Sequence, residues 1–191
     1  MFPLDEAEQR VLLRLARQAI EAAVLNTEFP AFNCPEGVLT ERAGAFVTLH
    51  KSGRLRGCIG NIESMRPLFQ TVGDCARSAA LADPRFEPVT ADELPKLHLE
   101  ISVLSPLQEA RPEEVEVGRH GLLVSRGHQR GLLLPQVATK YRWVREKFLD
   151  ETCLKAGLPA DAWRYGARIQ VFTAQIFAEP ESRVRTSHHA A

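Results

Sequence analysis

Phe46-Val47-Thr48-Leu49-His50-Lys51-Ser52-Gly53-Arg54-Leu55-Arg56-Gly57-Cys58-Ile59-Gly60 decides the class of fold. Apolar and polar residues alternate along it, and Lys51-Ser52-Gly53 supplies turn chemistry at its centre. That pattern is a β-hairpin, with arms Phe46 to His50 and Leu55 to Gly60. A three-residue loop with Gly53 in the left-handed position fixes which side chains share a face. Val47, Leu49, Leu55, Gly57 and Ile59 fall on one face; Phe46, Thr48, His50, Arg54, Arg56 and Cys58 fall on the other. The first set is the better core. This register puts Cys58 on the more polar face, near Phe46 and two residues from Arg56. His50 then lies about four residue steps from Cys58, on the order of 13 Å, which excludes a Cys-His dyad within the hairpin.

Helical and extended segments flank the hairpin. Asp5 to Leu25 has helical spacing in Leu12, Leu15, Ala16, Ala19, Ile20 and Ala23, and Asp5 with Glu8 makes a capping start. Asn26 to Gly44 is rich in turn residues. Pro67 to Ala82 reads as a helix with Leu68, Val72, Cys75, Ala76 and Ala79 on one stripe, and Pro84 stops it. Thr90 and Glu93 form a second capping-box pattern. Leu97 to Val103 alternates strictly and is a strand with one buried face. Gly121 to Ser125 and Gly131 to Leu134 form another hairpin around Arg126-Gly127-His128-Gln129. A helix from Trp143 to Ala156 stops at Gly157, and Ile169 to Phe177 reads as a final strand.

The expected fold is α+β, with largely antiparallel sheets covered by helices. Arg56-Gly57 and Arg130-Gly131 stand 74 residues apart, each on the second arm of a hairpin followed by a helix and a strand. This suggests a ββαβ duplication. The organisation expected is a single domain over residues 1–178, with two unequal interleaved subdomains, and a disordered polar tail over 179–191.

Composition excludes several classes. Lys plus Arg and Asp plus Glu both number 24, so no global charge argues for nucleic acid or an anionic membrane. The basic hairpin near Arg119, His120, Arg126, His128 and Arg130 has the charge to bind phosphate or RNA, but without interleaved aromatics for base stacking a solvated turn is the favoured reading. No apolar run approaches the roughly 20 residues needed to span a bilayer. The start Met1-Phe2-Pro3-Leu4-Asp5-Glu6 lacks a signal-peptide pattern, so the expected location is the cytoplasm with its cysteines reduced. Cys34, Cys58, Cys75 and Cys153 show no metal-ligand spacing with one another or with histidine.

Gly57 and Gly60 flank Cys58-Ile59 and permit close approach of a ligand or another chain. Cys58 is read three ways: a packed structural thiol, a nucleophile or redox thiol, or a metal ligand. Arg56 could lower its pKa by charge. His98 or Glu100, on the polar face of the clearest strand, could supply a base. Asp83-Pro84-Arg85-Phe86 is a helix terminator with Phe86 in the core, or a polar wall on which Arg85 holds an anion. Gln136 could present its amide to a ligand or satisfy loop backbone. The candidate binding set around Cys58 is therefore Arg56, Gly57, Gly60, Asp83, Arg85 and Gln136, with no metal ligand and no cofactor assigned.

At these residues the chain resembles the AMMECR-type family. Leu55-Arg56-Gly57-Cys58-Ile59-Gly60 matches its signature. Further matches are Gly44-Ala45-Phe46-Val47-Thr48-Leu49, Asp83-Pro84-Arg85-Phe86 and Ile101-Ser102-Val103-Leu104-Ser105. Leu134-Pro135-Gln136-Val137 and Lys155-Ala156-Gly157-Leu158-Pro159 with Trp163 complete a likeness running from about Gly37 to Glu179. The resemblance implies an α+β fold with two unequal subdomains and a functional role for Cys58. It also implies membership of an AmmeMemoRadiSam-type system, with a Memo-like protein and a radical S-adenosylmethionine enzyme as companions. It supplies no settled reaction. Two functions stay open: an enzyme component with a small-molecule site at Cys58, or a non-catalytic adaptor that docks on those companions.

Overall fold

The structure is a computed structural model describing residues 3–29 and 37–180. Helix α1 (Glu6–Leu25) begins at a capping box in which Asp5 and Glu8 satisfy each other's backbone N–H groups, and it ends at Asn26 in the left-handed conformation (φ 52°). Strands β1 (Ala45–Lys51) and β2 (Arg54–Asn61) form the expected hairpin. Helix α2 (Leu68–Leu81) and strand β3 (Leu97–Leu104) follow. The chain then makes β4 (Gln108–Glu109), β5 (Gly121–Arg126) and β6 (Gln129–Leu133). Helices α3 (Pro135–Lys140) and α4 (Arg145–Lys155) precede β7 (Arg168–Phe172) and β8 (Ala174–Ala178).

The fold is α+β, built on two antiparallel four-stranded sheets ordered β2-β1-β3-β8 and β4-β7-β5-β6. Helices α1 and α2 cover one face of the first sheet. Leu12, Leu15, Ile20, Leu68 and Val72 there meet Val47, Leu49, Leu99 and Ile101, all at most 2% exposed. Helix α4 covers the second sheet, packing Phe148, Leu149 and Cys153 on Leu122, Val124, Ile169 and Val171. No helix among the described residues is long and apolar enough to cross a membrane.

The hairpin register differs from the one expected. Ser52 and Gly53 both have positive φ (51° and 72°), so the turn is a two-residue one of the primed type that follows strand twist. Cys58 pairs with Thr48 rather than with Phe46, and a bulge lies between Leu49 and His50, where Arg56 is the extra residue. The bulge turns Leu55 outward: it is 41% exposed, not core. It also voids the exclusion of His50, which becomes a same-face diagonal neighbour of Cys58, with Cα atoms roughly 7–8 Å apart.

The run Ile169 to Phe177 is not one strand. It breaks at Thr173, where β7 joins the second sheet and β8 the first. The crossing is pinned by Ser105 N–H donating to Thr173 O and Thr173 N–H donating to Ser105 Oγ, each at 2.9 Å. Continuous apolar periodicity carries no sign of a change of sheet. Glu179, expected in the free tail, is held: its carboxylate accepts from Arg17 Nε at 2.9 Å and from Leu99 N–H at 3.0 Å. Cys34 and residues 181–191 lie outside the described residues.

The 74-residue echo corresponds to a repeated topology. The central orders β2-β1-β3 and β6-β5-β7 are equivalent, and each gains one outer strand, β8 or β4, on its third member. Gly57 and Gly131 occupy matching places beneath the covering helices. A Cβ on Gly57 would lie 2.2 Å from Ala79 O, and one on Gly131 would lie 2.2 Å from Ala156 N. Both glycines let helix backbone rest directly on strand backbone.

Candidate functional site

The first sheet has a second face, turned away from α1 and α2. One row across it runs Cys58, Thr48, Glu100, on β2, β1 and β3. The next row places His50 opposite His98. Cys58 is half-buried, and Thr48 Oγ1 donates to its Sγ at 3.3 Å. Glu100 stands two strands from Cys58, on the order of 10 Å between backbones, too far for direct proton exchange. His98 is committed elsewhere, its Nε2 lying 2.7 Å from Glu179 O.

Strand β2 is an edge strand, so the outward N–H and C=O of Cys58 have no strand to pair with. Asp83 and Arg85 take that place. Cys58 N–H donates to Asp83 Oδ2 at 2.8 Å, and Arg85 Nη2 donates to Cys58 O at 3.1 Å. The two side chains are locked as a fork, with Arg85 Nε to Asp83 Oδ1 at 2.9 Å and Nη2 to Oδ2 at 2.7 Å. The Asp83 side chain is only 2% exposed. Its hydrogen bonds from Arg85, aided by the Cys58 N–H, hold its carboxyl far below the ordinary range despite burial. Asp83-Pro84-Arg85-Phe86 is thus a helix stop that folds back to close a sheet edge. Phe86 is half-buried, not tucked into the core, and carries the guanidinium carbons of Arg85 and Arg56 at 5.5 and 6.0 Å from its ring centre.

Arg56 does not serve the thiol. Its Nε and Nη2 bind the Glu93 carboxylate at 3.0 and 2.8 Å, and Lys51 Nζ joins at 2.7 Å. Glu93, 9% exposed, also accepts from Thr90 N–H at 3.1 Å. The bonds from Arg56 and Lys51 hold its carboxyl far below the ordinary range. The Thr90/Glu93 capping box was legible in the sequence; the same carboxylate's grip on the hairpin was not.

The glycines are explained by packing rather than by a ligand. Gly57 lies under α2, and a Cβ on Gly60 would strike the Phe46 ring at 2.3 Å. Gln136 sits in the second unit on the first turn of α3, its Oε1 buried without a hydrogen-bond partner. No hydrogen bond among the described residues links it to the Cys58 cluster. The structure therefore gathers Cys58, Asp83 and Arg85, ties Arg56 into a neighbouring charge cluster, and leaves Gln136 outside. Thr48 and Glu93 belong to the set although the sequence did not mark them. The two-residue turn at Ser52-Gly53 would by itself set Cys58 opposite Val47; the bulge at Arg56, which no local pattern marks, moves it to Thr48.

Cys58 differs from the other described cysteines. Cys75 is 2% exposed and burial pushes its thiol up to about 11; Cys153 is fully buried and burial raises it as well. No group of three or more His, Cys, Asp or Glu among the described residues is placed to hold a metal ion.

A double-sheet α+β chain with a thiol mounted on a sealed sheet edge is the class that this geometry defines. The chain belongs to the AMMECR1 family, whose model matches residues 13–177. A protein of Methanothermobacter thermautotrophicus is 45% identical over 188 residues, covering 93% of this chain and 97% of its own. One of Methanosarcina barkeri is 44% identical over 189 residues, covering 93% of each. The crystal structure of an uncharacterized protein from Pyrococcus horikoshii, 42% identical, superposes with a TM-score of 0.80 over 88% of this chain and 89% of that one.

Proposed function

We propose that this protein is the component of an AmmeMemoRadiSam-type system that presents Cys58 to a small-molecule substrate. The supporting observation is the contrast in anchoring: the Cys58 backbone is fixed on its outer edge by Asp83 and Arg85, while its thiol stays half-exposed with one hydroxyl donor. A rigid mount with a free reactive end is what positioned thiol chemistry requires. His50, on the same face and diagonal to Cys58 in the register, is assigned to accept its proton. Cytoplasmic location belongs to the same reading.

Brief iodoacetamide treatment of the native protein at pH 7.5, followed by peptide mass spectrometry, is expected to label Cys58 before Cys75 and Cys153. Cys75 and Cys153 should react at least tenfold more slowly, because they are buried. Thr48→Val should change the Cys58 rate and leave the others alone. Protection of Cys58 equal to that of Cys75 would sink the proposal. Metabolites co-purifying with wild type but not with Cys58→Ser would identify the substrate.

A second reading, a non-catalytic adaptor docking on a Memo-like or radical S-adenosylmethionine partner, draws on one observation. Three surface cavities of about 470, 560 and 380 Å³ are lined by other residues, and Cys58 lines none of the three. Partner capture that survives Cys58→Ser but is lost on Leu55→Asp, at the exposed end of the same strand, would favour the adaptor.

A further inference from the structure

The second sheet also has a face turned away from its helix, and it carries a polar row. Arg130, Ser125 and Arg168 are direct neighbours across β6, β5 and β7. One step along, Gln170 pairs with Leu123 on one side and Glu109 on the other. Ser125, Arg130, Arg168 and Gln170, with Glu63, Leu107 and Gly127, line a cavity of about 380 Å³. Glu63 and Leu107 come from outside this sheet, so the cavity sits where the two units of the fold meet.

Gln170 is the telling residue. It is only 9% exposed, its amide has no hydrogen-bond partner among the described residues, and it borders the cavity. An amide that borders a cavity without a protein partner is satisfied there by water or by a ligand. Two guanidiniums stand on either side of Ser125. Arg130 touches Glu63 at 3.4 Å with side chains 51% and 66% exposed, and Arg168 pairs with Glu109 where both are about 60% exposed. Exposed pairs of this kind contribute at most about 1 kcal/mol. Each arginine has five N–H donors, more than one carboxylate occupies, so both retain donors for a bound anion.

We propose that this cavity binds the phosphate group of a small phosphorylated metabolite. Arg130 and Arg168 flank the group, Ser125 donates its hydroxyl and Gln170 its amide. Four separate donor groups suit the three terminal oxygens of a phosphate monoester better than the two of a carboxylate. The volume exceeds that of the anion and leaves room for its organic part. No aromatic residue lines the cavity, so it offers no platform for nucleic-acid bases. The assignment stands apart from the reading of Cys58.

The test is titration calorimetry with phosphorus NMR on the full chain, using inorganic phosphate and glucose 6-phosphate as probes and glucose and acetate as controls. Saturable binding of a phosphate probe is expected, with glucose and acetate inert. Arg130→Ala with Arg168→Ala, both at exposed side chains, should weaken it at least tenfold while leaving Cys58 alkylation unchanged. Gln170→Leu should weaken it several-fold. No saturable binding of either phosphate probe, equal binding of glucose or acetate, or full affinity in the double variant would each overturn the proposal.

Discussion

Glu93→Gln is expected to destabilise the protein by about 3 kcal/mol, the lower end of the range for breaking a buried ion pair. One carboxylate neutralises both Arg56 and Lys51, so losing its charge leaves two cations facing a neutral amide. Lys51 is 37% exposed and can turn to water, which limits the loss; the Arg56 side chain, 15% exposed, has less freedom. Urea unfolding at pH 7 should show a lower midpoint with an unchanged slope. The acid limb supplies an independent check. Glu93 and Asp83 both have folded pKa values depressed below their ordinary 4.5 and 3.8. Their stabilisation is complete above those ordinary values and is lost as pH falls from about 5 through the acid range. Glu93→Gln removes one of the two contributions, so its stability should decline less steeply below pH 4.5. A loss under 1 kcal/mol with the wild-type acid slope would contradict this account.

Gly57→Ala should be as damaging, at about 3 kcal/mol, for a different reason. The added Cβ would sit 2.2 Å from Ala79 O, which is helix backbone and cannot rotate aside. Either α2 shifts away from the sheet or β2 distorts, and both open the core beneath. Gly73→Ala is the matched control. Gly73 lies within α2, meets nothing within 4 Å and needs no unusual φ, so alanine there should stabilise by about 0.5–1 kcal/mol. Melting temperatures of the two variants should move in opposite directions. A Gly57→Ala protein as stable as wild type would mean that the close contact of α2 on β2 is not required.

These contrasts show what was legible in the sequence. Local chemistry was readable: both capping boxes, the helix stop at Pro84, the alternation of β3 and the two hairpins stand where their residues indicate. Even the paired glycines were visible as an echo, though not their purpose of seating a helix. Features that depend on partners distant in sequence were hidden. Arg56 looked like a companion for Cys58 because they are two residues apart, but a bulge and Glu93 drew it off. Asp83 and Arg85 looked like a ligand wall, since nothing local shows that β2 has no outer neighbour. The split at Thr173 was invisible because both halves are apolar, and only the sheet assignments distinguish them.

The crossing at Ser105 and Thr173 also sets an order of events. Strand β8 completes the first sheet by pairing with β3, yet the whole second unit lies between them in the chain. On a ribosome, the outer edge of β3 therefore waits unpaired until the second unit and Thr173 have emerged. Because the two ends of that unit are hydrogen-bonded to each other, its folding brings β8 back to within reach of its partner. Folding the insert is the loop closure for the last strand, and damage to the α4 core should leave the distant β3 edge open to aggregation.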